Sequence, residues 1–74
     1  MLKKEEIYRI FGENIRKFRE ERNMTIEEFS MITDIRVQYL KRIELGMAKR
    51  LNASHIFIFA EAFKIKPHEL VKGF

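Results

Sequence analysis

The spacing of the apolar residues leaves this chain one kind of regular structure. Ile7, Phe11, Ile15 and Phe18 recur at intervals of three and four residues, and Ile56, Phe59, Ala60 and Phe63 repeat the pattern near the other end. That is the period of a buried helix face, and no strand-like alternation of every second residue competes with it. With 74 residues and no cysteine, neither a disulfide framework nor a thiolate metal site can support the fold, so one apolar core has to. A 46% hydrophobic content can supply it. The expectation is a single all-α domain over residues 1–74.

Local punctuation divides the helical signal into five segments. A first amphipathic helix holds Ile7 to Phe18 and ends near Arg22, where Asn23 can take the left-handed closing position; Gly12 is expected to weaken or bend it. Glu13 with Lys17, and Arg16 with Glu20, stand at i,i+4 as exposed pairs. Met24 turns inward, and Thr25-Ile26-Glu27-Glu28 is a capping box that starts a second helix. That helix is short, because Thr33-Asp34 marks a tight turn. A third runs from about Arg36, with Leu40 and Ile43 inward, Val37, Gln38, Lys41 and Arg42 pointing elsewhere, and Gly46 as its stop. Residues 46 to 52 read as a loop. Asn52 caps a fourth helix whose apolar face is Ile56, Phe57, Phe59, Ala60 and Phe63, with Ile58 on the outer side. Pro67 fits the first position of a last helix containing Leu70 and Val71.

Composition excludes several functions. Charged residues make up 35% of the chain and interrupt every apolar stretch well short of the roughly 20 residues that span a bilayer. The N-terminus lacks the apolar region of a secretory signal, so a cytoplasmic location is expected. His55 and His68 are too far apart to read as a ligand pair, and neighbouring glutamates such as Glu20-Glu21 and Glu27-Glu28 diverge on a helix. There is no phosphate-cradling glycine loop, and the methionines and phenylalanines read as core filling. No enzyme activity, cofactor or metal is expected. A net charge of +4, from 15 basic and 11 acidic residues, tilts the choice of partner toward a polyanion.

Two short helices joined by a tight turn, the second with polar and basic residues outward, describe a helix-turn-helix. From Asn14 to Val71 the chain resembles the phage repressor and Cro-like helix-turn-helix family, also called the XRE family. The resemblance lies in Ile15-Arg16-Lys17-Phe18-Arg19-Glu20-Glu21-Arg22, then Thr25-Ile26-Glu27-Glu28-Phe29, Ile43-Glu44-Leu45-Gly46, and Ala60-Glu61-Ala62-Phe63-Lys64-Ile65 before Glu69-Leu70. It implies a compact five-helix lambda-repressor-like fold preceded by a helical extension over residues 1–13. It also implies that residues 25 to 32 cross a DNA backbone while residues 36 to 44 lie in the major groove. Arg19 and Glu44 occupy the positions of a structural ion pair in such proteins.

By side-chain chemistry, Gln38 can bond adenine N6 and N7 together and Val37 can meet a thymine methyl. Arg36 reaches a guanine edge or a phosphate, and Lys41 and Arg42 divide reading and clamping between them. Lys49 and Arg50 in the following loop, and the Thr25 hydroxyl with the amides beside it, are candidate phosphate contacts. The implied function is a sequence-specific double-stranded DNA-binding transcriptional regulator, a repressor acting as a homodimer on a palindromic operator, with no attached sensor domain.

The chain departs from the family pattern at Ile26, Leu45 and Met47, where polar or small residues are usual, at Arg36 in a cap position, and at Asp34 and Lys64 in place of glycines. Frayed helix ends are therefore expected. These departures keep a second reading open: a helix-turn-helix-fold interaction module or antitoxin-like component, with Ile26, Leu45, Met47 and Ile58 as its exposed surface. Ile58, Val71 and Phe74 are candidates for a dimer or partner surface, and Leu2, Ile7, Tyr8 and Ile10 for an alternative interface or additional core.

Overall fold

Helix α1 spans Lys4–Glu21 in the computed structural model, which describes residues 2–48 and 50–73. After it come α2 (Ile26–Thr33), α3 (Val37–Glu44), α4 (Ala53–Phe63) and a terminal 3-10 helix (Pro67–Val71), with no strand among the described residues. α1 begins before the apolar period requires. The Glu6 carboxylate accepts from the Lys3 amide at 3.4 Å, and Glu5 and Glu6 lie at the positive end of the helix dipole. The fifth element is a 3-10 helix rather than an α-helix. Pro67 contributes no N–H, the Lys66 amide donates to Glu69 at 3.0 Å, and the backbone is extended again at Lys72.

Three helix C-termini are closed by left-handed residues, Lys64 among them, while Arg36 gives α3 no side-chain cap. Asn23, Gly46 and Lys64 take φ values of 54°, 73° and 57°. At each, the next amide reaches back five residues: Met24 to Arg19 at 3.2 Å, Met47 to Arg42 at 2.8 Å, and Ile65 to Ala60 at 3.0 Å. This is the Schellman closure, which satisfies the carbonyls a helix end would otherwise leave free. Lys64 accepts the left-handed conformation, at a cost of about 1 kcal/mol, because buried Phe63 before it and Leu70 after it hold both sides of the turn.

A chain of phenylalanine contacts crosses the core. Ring centres are 5.6 Å apart for Phe18–Phe63, 4.9 Å for Phe63–Phe29, 5.5 Å for Phe29–Phe59 and 6.2 Å for Phe59–Phe11. The series joins α1, α4 and α2, and each such pair contributes about 0.5–1.5 kcal/mol beyond the area it buries. Ile15, Leu40, Ile43 and Leu70 close around it. Asn14 ties the C-terminal segment to α1 by donating to the carbonyls of Leu70 at 2.8 Å and Lys72 at 2.9 Å.

Gly12 is a contact point and not a weak point. A Cβ there would lie 2.1 Å from the Ile43 carbonyl oxygen and 3.0 Å from that of Glu44. The missing side chain lets α1 cross directly over the last turn of α3. Gly46 does the same from the other side, where a Cβ would stand 2.8 Å from the Arg9 Cα. The first half of α1 is therefore part of what holds α3, and Phe11 within it is buried in the core.

Three further expectations change. Glu13 pairs with Arg9 at 3.0 Å and not with Lys17, while Arg16–Glu20 forms at 3.2 Å; a guanidinium offers several donors where an ammonium is a point charge. On α4, Phe57 is the outward aromatic, 60% exposed, and Ile58 is half-buried. The C-terminal part of α2 covers the Ile58 side, placing Ile32 and Thr33 beside it, and no element covers Phe57. Ile26 is half-buried and packs against the core, so it is not part of an exposed apolar surface, whereas Leu45 and Met47 are exposed.

Candidate nucleic-acid interface

The turn between α2 and α3 is fixed by hydroxyl groups. Thr33 Oγ1 donates to the Phe29 carbonyl at 2.8 Å and accepts from the Ile35 amide at 3.3 Å, while Ser30 Oγ donates to the Ile35 carbonyl. The N–H and the carbonyl of Ile35 are thus both taken by α2, and Asp34 makes the reversal at φ 57°. Thr33 is the buried polar residue of the core, and these two bonds satisfy it. The angle between α2 and α3 is set here, before any partner is present.

α3 then sorts its residues by face. Leu40 and Ile43 are fully buried, Val37 and Tyr39 are half-buried, and Arg36, Gln38, Lys41 and Arg42 are exposed. The last four line one open groove together with the edge of Tyr39. Of the five residues read as base-contacting, four therefore converge, and Val37 is half-buried outside that groove. Arg36 caps α3 by backbone conformation alone, without a side-chain bond, so its guanidinium is free to extend.

Lys41 also borders a second groove with Arg16, Arg19, Ile26, Glu44 and Leu45. Arg16 is a cation that the sequence reading passed over. Its i,i+4 partner Glu20 explained it locally, and only the crossing of α1 over α3 brings it near Lys41. At the start of α2, the Glu28 amide donates to Thr25 Oγ1 at 3.0 Å and Glu28 Oε1 accepts from the Thr25 amide at 2.8 Å. Helix geometry leaves the Ile26 and Glu27 amides without intrahelical acceptors, but the carboxylates of Glu27 and Glu28 share that turn and work against an anion there.

Behind the exposed face of α3, Arg19 and Glu44 meet as a two-bond pair with side chains only 13% and 7% exposed. Donating to the Glu44 carboxylate holds the Arg19 guanidinium above its ordinary range, burial works in the opposite direction, and the charge of Glu44 adds to the rise. Arg19 is held in its charged form, and its two bonds to Glu44 lock α1 and α3 together.

Arg50 is exposed, and its carbonyl accepts from the Tyr39 hydroxyl. Lys49 and Phe74 lie outside the described residues. Ile58 sits in a groove with Ile32, Thr33, Glu61, Ala62 and Lys64, whereas Val71 belongs to a separate slot between α1 and α4. The structure does not bring these two together. Among the described residues no group of three or more acidic or histidine side chains could hold a metal ion, and no helix is long and apolar enough to cross a membrane.

With this geometry in place, likeness to known proteins can be stated. The helix-turn-helix family profile matches residues 15–70, one residue inside the resembling stretch at each end. No curated protein matches the chain. Among solved structures, the chain is similar to the restriction-modification controller protein C.AhdI from Aeromonas hydrophila, with a TM-score of 0.79 and 24% identity, covering 85% of this chain and 94% of that one. At that identity the likeness concerns the fold.

Proposed function

The chain belongs to the XRE-type helix-turn-helix family of DNA-binding transcriptional regulators, and from that premise we propose that it reads a specific duplex sequence through α3 and represses by occupying a palindromic operator as a homodimer. The observation that carries this reading is the convergence of Arg36, Gln38, Lys41 and Arg42 on one exposed face of a helix whose other face is anchored in the core. Gln38 is suited to adenine, Arg36 and Arg42 to guanine or phosphate, and Lys41, beside Arg16, to the backbone. Lys49 and Arg50 complete the phosphate contacts, and the Thr25 hydroxyl adds one only against the charge of Glu27 and Glu28. The role is non-catalytic, needs no cofactor and is exercised in the cytoplasm.

Dimerisation follows from size. The eight residues of α3 span about 12 Å, enough for three or four base pairs, so a second copy on a half-site about 34 Å away multiplies the selectivity. The surface we assign to it is on α4. Phe57 is exposed, and its neighbour Ile56 lines, with Ile7, Tyr8, Phe11, Leu51 and Val71, a mostly apolar slot of about 140 Å3. Cavities of about this size accept a benzene ring. A two-fold contact placing each Phe57 in the other copy's slot is self-complementary, as an isologous interface has to be.

Selection of bound sites from random duplex DNA at two salt concentrations tests the reading. Enrichment of an inverted repeat with half-sites one helical turn apart is the expected result. No enrichment at either salt would transfer the role to protein contacts, for which exposed Leu45 and Met47 beside α3 are the surface.

A further inference from the structure

One large side chain on α3 has a foot on each side: Tyr39 borders the groove of the outward cations and packs against the edge of the core. Tyr39 is half-buried, and its hydroxyl donates to the carbonyl of Arg50, eleven residues on. Its ring lies 5.5 Å from the His55 imidazole on α4, tilted by 53°, and His55 in turn stacks 6.3 Å from the fully buried Phe59. α3 packs mainly on α1 and α2, and α4 mainly on α2 and the 3-10 helix. Tyr39 therefore spans the gap between the reader helix, the loop that follows it and the start of α4.

That loop has fixed ends and an exposed middle. At one end the Met47 amide bonds back to Arg42 and Ala48 is buried; at the other, Asn52 accepts from the His55 amide at 3.0 Å. Arg50 is exposed between them, and among the described hydrogen bonds the one from Tyr39 is all that holds its peptide unit. A cation on a free loop loses conformational entropy whenever it docks on a phosphate. One already held at a set distance from α3 does not.

We propose that Tyr39 is a positioning residue that fixes the Arg50 segment to the reader helix, so that the loop's phosphate contacts and the base contacts of α3 approach DNA as one rigid unit. The proposal rests on the DNA-binding reading above and adds a side chain that touches no base.

Tyr39→Phe keeps the ring and removes the hydroxyl. In the free protein, trypsin attacks the carbonyl of Arg50 to cut after that residue, and this is the carbonyl the hydroxyl occupies. Cleavage after Arg50 is expected to accelerate several-fold in Y39F, with other sites unchanged, because local opening controls access. On the selected DNA site, Y39F is expected to bind about fivefold more weakly at 0.15 M salt, the weight of one phosphate contact, with a salt slope shallower by about one unit and base preference unchanged. If Tyr39 acts through Arg50, Y39F adds nothing to Arg50→Ala. Unchanged cleavage after Arg50, or a full additional loss in the double variant, overturns the proposal. Absence of DNA binding by the parent protein, with cleavage still accelerated in Y39F, would show that the tie exists and that the DNA-binding reading is what failed, and the positioning role would go with it.

Discussion

Arg19 on α1 grips both carboxylate oxygens of Glu44 at the end of α3, Nε to Oε2 at 2.7 Å and Nη2 to Oε1 at 3.0 Å, while Nη1 donates to the Met24 carbonyl at 2.8 Å. One guanidinium thereby joins α3, α1 and the link into α2. Removing one partner leaves the other charge buried and unpaired, which costs about 3–5 kcal/mol. Arg19→Ala is expected to lower the urea unfolding free energy by about 3 kcal/mol, and an apolar pair, Arg19→Met with Glu44→Leu, to recover most of it. Because the guanidinium is held above its ordinary range, its contribution is fully present below the unfolded value and is lost only as pH rises through the strongly alkaline region. A stability difference between the parent and Arg19→Met that changed steeply near neutral pH would contradict this.

Gly12→Ala exchanges a poor helix former for the best one, worth about 1 kcal/mol in an open helix. Here the new Cβ meets backbone oxygens of α3 that cannot rotate away. A net loss of about 2 kcal/mol or more is expected in thermal unfolding. A rise in melting temperature would mean that α1 and α3 do not cross at Gly12.

Gln38 and Arg50 should fail differently. Gln38→Ala is expected to relax preference at one base pair by about 1–3 kcal/mol, and Arg50→Ala to weaken all sequences alike while reducing the salt slope by about one. Binding isotherms on single-base operator variants separate the two. An equal loss on every sequence after Gln38→Ala would remove Gln38 from the reading face.

Phe57→Glu tests the second copy. The side chain is 60% exposed, so the fold should tolerate the change within about 1 kcal/mol, while a carboxylate cannot enter an apolar slot without a large desolvation penalty. Sedimentation should show a dimeric parent and a monomeric variant. A variant as dimeric as the parent would move the interface away from α4.

Lys64→Gly places a residue without a Cβ at φ 57°. Relief of left-handed strain, less the backbone entropy of glycine, is expected to raise stability by about 0.5 kcal/mol or less. Destabilisation on chemical unfolding would show that the lysine side chain contributes more than the strain it causes.

The sequence by itself determined most helix boundaries and which side of α3 is left outward. A capping box at Thr25, a cap at Asn52, the left-handed closures at Asn23 and Gly46 and the 3.6-residue period all act between residues three to five positions apart, so the chain carries them without tertiary help. Likewise, the outward setting of Arg36, Gln38, Lys41 and Arg42 follows once Leu40 and Ile43 point inward. Only the tertiary structure decided that Gly12 is a crossing point, that Phe57 and not Ile58 is the exposed aliphatic or aromatic knob, that Ile26 is half-buried, that Arg16 stands beside Lys41, and that Tyr39 reaches the Arg50 carbonyl. Each of these depends on a neighbouring element that packs against the residue from elsewhere in the chain, and a helix's own period states which side is apolar without stating what will cover it.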